Sequence, residues 1–299
     1  MATKDNTTSI VRAPRPLRLR MATLERVSPR RAAALAERLW FTVPKPPTTA
    51  RLQRFTPDGA EPFYLMSGEA EIVGASYGPQ DGPIAFLVHG WGGYWQQLSA
   101  HIPALVGAGY RVIVWDAPSH GRSTHGAEGL GAGSVLEMTA AVEAVAIEVG
   151  RPELVVAHSI GSMAALRATR NLGPAAAYVL IAPEVRLEPA IDWFAQVIDM
   201  GPRTREIFLD RVHRRIGLDM ADFDVTADIA RLEALGTRPS LLAIHDVDDP
   251  DTPSSETERL VADWPGAELV LTHHLGHRKV IWDAGTVAAV GAFAGRRSS

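Results

Sequence analysis

Short, almost unbroken apolar runs recur along the second two thirds of the chain, at 84–88, 111–115, 154–157, 177–181, 241–244 and 269–271. Strands without polar alternation are buried on both faces, as happens when a parallel sheet is covered by helices on each side. The stretches between them carry helical spacing, at 96–106, 135–149, 162–170, 255–263 and 286–293. Upstream, 51–78 alternates weakly and contains Gly59 and Gly68, which fits antiparallel strands or hairpins at a sheet edge. The pattern predicts an α/β fold with a mostly parallel central sheet of about eight strands and helices on both faces.

One interval breaks this rhythm. Between Pro183 and Pro239 no good strand occurs, whereas 191–200, 205–216 and 227–235 are spaced as helices. This predicts a helical insertion over 184–238, with the α/β core formed by 51–183 and 239–299. Residues 1–50 stand apart. The first twenty or so, with Pro14 and Pro16 among scattered arginines, read as a mobile or loosely attached lead. Pro29 then opens a helix over 28–41, which Pro44, Pro46 and Pro47 end.

Composition adds constraints. Hydrophobic residues at 46% and charged residues at 21% suit one large globular domain. No apolar run approaches the roughly 18 residues of a transmembrane helix, and the N-terminus lacks the apolar middle of a secretory signal. A cytoplasmic protein is expected. Cysteine is absent, which excludes disulfides, thiolate metal sites and a cysteine nucleophile. The net charge of −4 gives no overall pull toward nucleic acid, but residues 1–54 hold 12 Lys plus Arg against 3 acids. That basic arm is expected to dock on its own acidic body; a membrane surface or partner is the alternative. Self-association into a homo-oligomer is compatible with all of this.

The chemistry concentrates at strand ends. In Leu154-Val-Val-Ala-His-Ser159-Ile-Gly161, an apolar strand runs into a helix through a serine flanked by small residues. A sharp strand-to-helix turn of this kind lifts a serine hydroxyl to the carboxyl edge of the sheet and needs minimal side chains two positions away. Gly161 meets that need, and Ala157 stands one methyl away from it. Upstream, Phe86-Leu-Val-His89-Gly90-Trp91-Gly92-Gly93 ends another buried strand in a glycine-rich turn. Acyl transfer creates a negatively charged tetrahedral oxygen, and the backbone amides of Trp91 and Ile160 are the expected donors to it. His89 reads as structural.

Four ordered motifs give the sequence its resemblance to the α/β hydrolase superfamily: HGWGG at His89, DAPSHGRS at Asp116, AHSIG at Ala157, and a late acid and histidine. The resemblance spans 82–293 and implies the α/β hydrolase fold, with Asp116 structural and 184–238 in the place of a helical cap. It also implies that the serine is followed by an acid and then a histidine, in that order. His277, in a turn after the last strand, is the expected base, with His273 and His274 as alternatives nearer the strand end. In the acidic stretch His245-Asp246-Val-Asp248-Asp249-Pro-Asp251-Thr-Pro253, the family pattern aligned on Pro253 selects Asp249, and Asp248 competes with it.

The reaction implied is hydrolysis of a small-molecule carboxylic ester through an acyl enzyme, by an esterase or lipase-like enzyme needing no cofactor. Thioesterase, lactonase, peptidase and acyl-transferase chemistry share the same residues, and a noncatalytic hydrolase-fold binding protein is the reading from another class. A serine at the elbow disfavours the aspartate-nucleophile route of epoxide hydrolases and dehalogenases in this superfamily. Trp91, Trp95, Trp193 and Phe194 are candidates for an apolar substrate pocket, or for plain packing. No metal is expected, since the acids at 245–251 do not reproduce a calcium loop.

Overall fold

The computed structural model describes residues 12–297. In chain order the elements are α1 (Arg15–Val27), α2 (Pro29–Trp40), α3 (Thr49–Gln53), β1 (Glu61–Ser67), β2 (Ala70–Tyr77), β3 (Ile84–Val88), α4 (Ile102–Gly107), β4 (Arg111–Trp115), α5 (Val135–Val149), β5 (Leu154–His158) and α6 (Ile160–Leu172). They continue with β6 (Ala177–Ile181), α7 (Leu187–Val197), α8 (Pro202–Ile216), α9 (Val225–Ala234), β7 (Ser240–Asp246), α10 (Ser254–Ala262), β8 (Glu268–Thr272), α11 (Gly276–Lys279) and α12 (Ala284–Gly295).

Eight strands form one sheet in the order β1-β2-β4-β3-β5-β6-β7-β8. The hairpin β1–β2 and the pair β2–β4 are antiparallel, and every later pairing is parallel. The six expected parallel strands appear where the apolar runs placed them. Their residues are buried on both faces because a separate core lies on each side of the sheet. One packs Val155, Ala157 and Leu180 against α5, α6 and the helices between β6 and β7. The other packs Leu87, Val156 and Ile244 against α4 and the C-terminal α12.

Two expectations need correction. The helix expected over 96–106 is divided into a tight 3-10 turn, Trp95–His101, followed by α4, with Pro103 in the first turn of α4. Proline has no N–H to donate to the turn before it, so a continuous α-helix does not pass through 103. The expected mobile lead is also largely ordered where it is described: Arg15–Val27 is helical, with Met21 only 1% exposed. Residues 1–11 of that lead lie outside the described residues.

The arm does dock, but not as a simple basic patch on an acidic one. The Ala13 N–H donates to the Val197 carbonyl at 2.9 Å, and Arg18 pairs with Asp199 at 3.1 Å. In the opposite sense, Glu37 of α2 receives Arg211 and Arg215 from α8, and Glu25 of α1 receives the Thr204 hydroxyl. Trp40 adds an edge-on contact to Phe194, with ring centres 5.2 Å apart. No helix among the described residues is long and apolar enough to cross a membrane.

Candidate active site

The site is assembled from four strand ends. Ser159 follows β5 directly with φ 55° and ψ −131°, a left-handed backbone that a non-glycine residue adopts at a cost of about 1–3 kcal/mol. The surroundings hold it there. Its N–H donates to Ile181, while its carbonyl accepts from the N–H groups of Ser162 and Glu184, at 2.9 and 3.1 Å. Gly161 is required by close approach rather than by backbone angle, because a Cβ there would lie 2.4 Å from the His89 carbonyl oxygen.

His277 reaches Ser159 from the start of α11, into which the loop after β8 leads. Asp246, at the end of β7, ties that loop down by accepting from the Thr272 hydroxyl at 2.8 Å and the Leu275 N–H at 3.1 Å. From the other side, the His158 ring Nε2 lies 2.9 Å from the His277 carbonyl. Burial and the neighbouring His277 hold His158 well below the usual imidazole range. The neutral ring thus donates its Nε2–H to that carbonyl. His277 Nδ1 is 2.7 Å from Asp249 Oδ2, and its Nε2 is 3.0 Å from Ser159 Oγ. With Nδ1–H donating to the carboxylate, Nε2 is free to accept the serine proton.

Asp249 has more partners than the histidine alone. The Asp251 and Thr252 N–H groups donate to Oδ1 at 2.8 and 3.1 Å, and the Thr252 hydroxyl donates to Oδ2 at 3.0 Å. His245 Nε2 approaches Oδ2 at 3.3 Å. Burial alone would raise this carboxyl, but the hydrogen bonds from His245, His277 and Asp251 and the charge of His277 hold it well below the usual carboxylate range. Asp248, its competitor in the sequence, instead accepts from the N–H of His274 and faces the His274 ring, whose side chain is 88% exposed. Geometry therefore joins Asp249, and not Asp248, to His277.

The oxyanion candidates lie on the same cavity wall as Ser159. Among the described residues, no hydrogen bond engages the N–H of Trp91 or of Ile160. Ile160 opens α6, so its N–H also carries the positive end of the helix dipole. Both ring nitrogens of His89 are taken up within the loops: its Nε2 accepts from the Ala117 N–H at 3.0 Å and its Nδ1 faces the Gly90 carbonyl at 2.8 Å. Burial lowers its pKa to about 3. Asp116 braces the same loop, accepting from the Trp95 and Arg122 N–H groups.

A cavity of about 610 Å³ opens above Ser159. Trp91, Trp193 and Phe194 line it, together with Leu39 and Trp40 from α2. Trp95 does not. It is 4% exposed on the opposite face of the sheet, tilted against Tyr77, because the 3-10 turn carrying it points into the second core. Asp249, Asp251 and His277 bring one ligand atom each within 4.8 Å of one another, but Asp249 and His277 are already bonded to each other.

The sequence did not point to His158, His245, Thr252 or Glu184. The first three support the serine, histidine and acid from one shell further out, and no spacing pattern marks them. Glu184 carried a faint signal, standing just beyond a strand's carboxyl end, where open α/β sheets collect their ligands.

Residues 85–290 match the model of the alpha/beta hydrolase family. Among individual proteins, the chain is similar to epoxide hydrolase B of Mycobacterium tuberculosis, with 47% identity over 45 residues. That match spans 15% of this chain and 13% of the relative's length. Similar solved structures include a bromoperoxidase from Bacillus anthracis, with a TM-score of 0.60 at 15% identity over 79% of this chain and 100% of the other. A structure from work on carboxylesterases of Nitrososphaera gargenis gives 0.58 at 18% identity, covering 79% of this chain and 100% of the other. A thermophilic esterase from Thermogutta terrifontis gives 0.57 at 17%, covering 80% and 99%. At these identities the structural likenesses speak for the fold alone.

Proposed function

The chain belongs to the alpha/beta hydrolase family, and from that premise we propose that it is a serine hydrolase cleaving carboxylic esters through an acyl enzyme. The observation that carries this reading is the continuous hydrogen-bonded line from Asp249 through His277 to Ser159, with steps of 2.7 and 3.0 Å. His277 Nε2 removes the hydroxyl proton as Ser159 Oγ attacks the carbonyl carbon. The N–H groups of Trp91 and Ile160 receive the resulting oxyanion. His277 then protonates the departing alkoxide, and an ester bond links the acyl group to Ser159. Water, deprotonated by the same nitrogen, releases the acid and restores the serine.

Residues 184–238 act in this proposal as a cap over the core 51–183 and 239–299. Helix α2 of the N-terminal arm closes the cavity from the side with Leu39 and Trp40. The serine at the elbow, where an epoxide-opening carboxylate would have to stand, favours acyl transfer over epoxide chemistry. Labelling with a fluorophosphonate tests the reading together with a panel of short to medium acyl esters. Wild type is expected to label and to hydrolyse the esters, and Ser159→Ala to lose the label and roughly three or more orders of magnitude in kcat/KM. Equal labelling and equal rates in the two proteins would overturn it.

A further inference from the structure

Glu184 is a buried acid that the proposed reaction does not use. It follows β6 by three residues, is 7% exposed, and lines the cavity with Ser159 and His277. Its own N–H donates to the Ser159 carbonyl, which fixes its backbone beside the elbow. No hydrogen bond links its carboxyl to any described residue. Its oxygens are not among the sealed, unpartnered polar atoms of the interior, so they open onto the cavity, where solvent or substrate is their partner.

We propose that Glu184 is a specificity-determining residue whose carboxyl hydrogen bonds to an uncharged oxygen of the substrate, near the scissile carbonyl. This deepens the ester-hydrolase reading and rests on it for the identity of the scissile bond. The surroundings decide which form of the carboxyl acts. Asp249 in the loop after β7 is ionised, and Glu256 of α10 is engaged by Arg186 and Arg259. Arg186 is thereby committed to other acids, Glu188 among them. His158, elsewhere on the cavity wall, is held neutral by burial. Lys45, Arg51 and Arg278 line the same cavity, but among the described residues no ion pair joins a cation to Glu184, and a second negative charge beside Asp249 is disfavoured. Burial, then the charges of Asp249 and Glu256, push its carboxyl up to about 8. At neutral pH it therefore carries a proton and acts as a hydrogen-bond donor.

A donor at this place selects an acceptor. Much of the remaining wall is apolar, contributed by residues such as Leu187, Ile191 and Phe194, with Lys45, Arg51 and Arg278 also on it. The substrate class that fits is an acyl ester with an apolar chain and a keto or ether oxygen within a few bonds of the ester carbonyl. A cationic amine at the same place would demand loss of the proton, and a plain alkyl chain would leave the carboxyl unpartnered.

The test is calorimetric titration of the Ser159→Ala protein, which does not turn the probe over, with methyl 3-oxooctanoate and methyl octanoate. At pH 6.5 the oxo ester is expected to bind about tenfold tighter, and at pH 9.5 the two should converge. Adding Glu184→Leu should abolish the difference at pH 6.5. Adding Glu184→Gln, which keeps an N–H donor and does not titrate, should preserve it at both pH values. Equal binding at pH 6.5, a preference that survives Glu184→Leu, or tighter binding of methyl 3-aminooctanoate would each overturn the proposal. If the leucine variant does not fold, the glutamine variant decides, since an identical pH dependence with Glu and Gln also overturns it. A retained oxo preference in a protein whose Ser159 fails to label with fluorophosphonate would remove the hydrolase reading and leave the subsite standing.

Discussion

Asp249 and Glu184 stand just beyond the ends of adjacent strands, β7 and β6, Glu184 lining the cavity and Asp249 buried behind His277, and the fold treats them in opposite ways. The loop after β7 gives Asp249 two backbone N–H groups and a threonine hydroxyl, β7 itself adds His245, and His277 arrives from beyond β8. The loop after β6 places Glu184 on the cavity wall, and among the described residues its carboxyl receives no donor. Burial costs both carboxylates solvation, but compensating donors reverse that cost for one and leave it standing for the other. Residue type alone therefore says little about charge. In the proposed reading the first acid, held low by its donors, orients a histidine, while burial pushes the second toward its protonated form.

The largest way to break this comparison is to remove the partnered charge. Asp249→Asn should cost roughly three to four orders of magnitude in kcat on a good ester, since the amide favours the wrong imidazole tautomer. Asp248→Asn should stay within about threefold of wild type. Steady-state kinetics on both variants check this, and similar losses would mean that the acid has been misassigned. A smaller effect is expected from thinning the shell around Asp249. Thr252→Val removes one hydroxyl donor from its Oδ2 and should lower kcat by about tenfold with KM little changed.

The smallest effect separates the two acids through stability. A carboxyl whose folded pKa lies below the unfolded one stabilises the fold above its ordinary value and loses that contribution as pH falls through the folded value; this is Asp249. Glu184 has the opposite sign. Its pKa moves from 4.5 up to about 8, so across that window the unfolded chain has released a proton that the folded chain retains. Its contribution therefore becomes less favourable as pH rises from 4.5 to about 8 and then levels off. Glu184→Gln should accordingly melt higher than wild type at pH 8.5, by about 3 °C or more, with the gap narrowing toward pH 5. Scanning calorimetry at the two pH values reads this directly, and a gap independent of pH would count against a protonated Glu184.

Much of the fold was legible because its strands are buried on both faces. Such strands appear as short apolar runs, and six of them surfaced where those runs predicted. The turn at Ser159 was legible too, since a sharp strand-to-helix bend restricts its neighbours to small side chains such as Ala157 and Gly161. Order in 15–27 was not. Amphipathic helices with scattered arginines resemble a solvated lead until a partner surface exists, and here that surface is built by α7 and α8, nearly two hundred residues downstream. Trp95 failed for a related reason: a bulky aromatic near a catalytic loop is ambiguous until the turn carrying it is seen to face one side of the sheet or the other.

What the chain determined by itself is local: strand burial, the tight bend at 159, the glycine-rich turn at 90 and the order of chemical groups along the sequence. Only the tertiary structure decided which of several neighbouring acids meets His277, which aromatics face the cavity, and which buried carboxyl lacks a donor. Those outcomes depend on distances and solvent exclusion between residues far apart in sequence. Hydrogen bonding and the desolvation of charge act over a few ångströms of space, and linear spacing does not encode them.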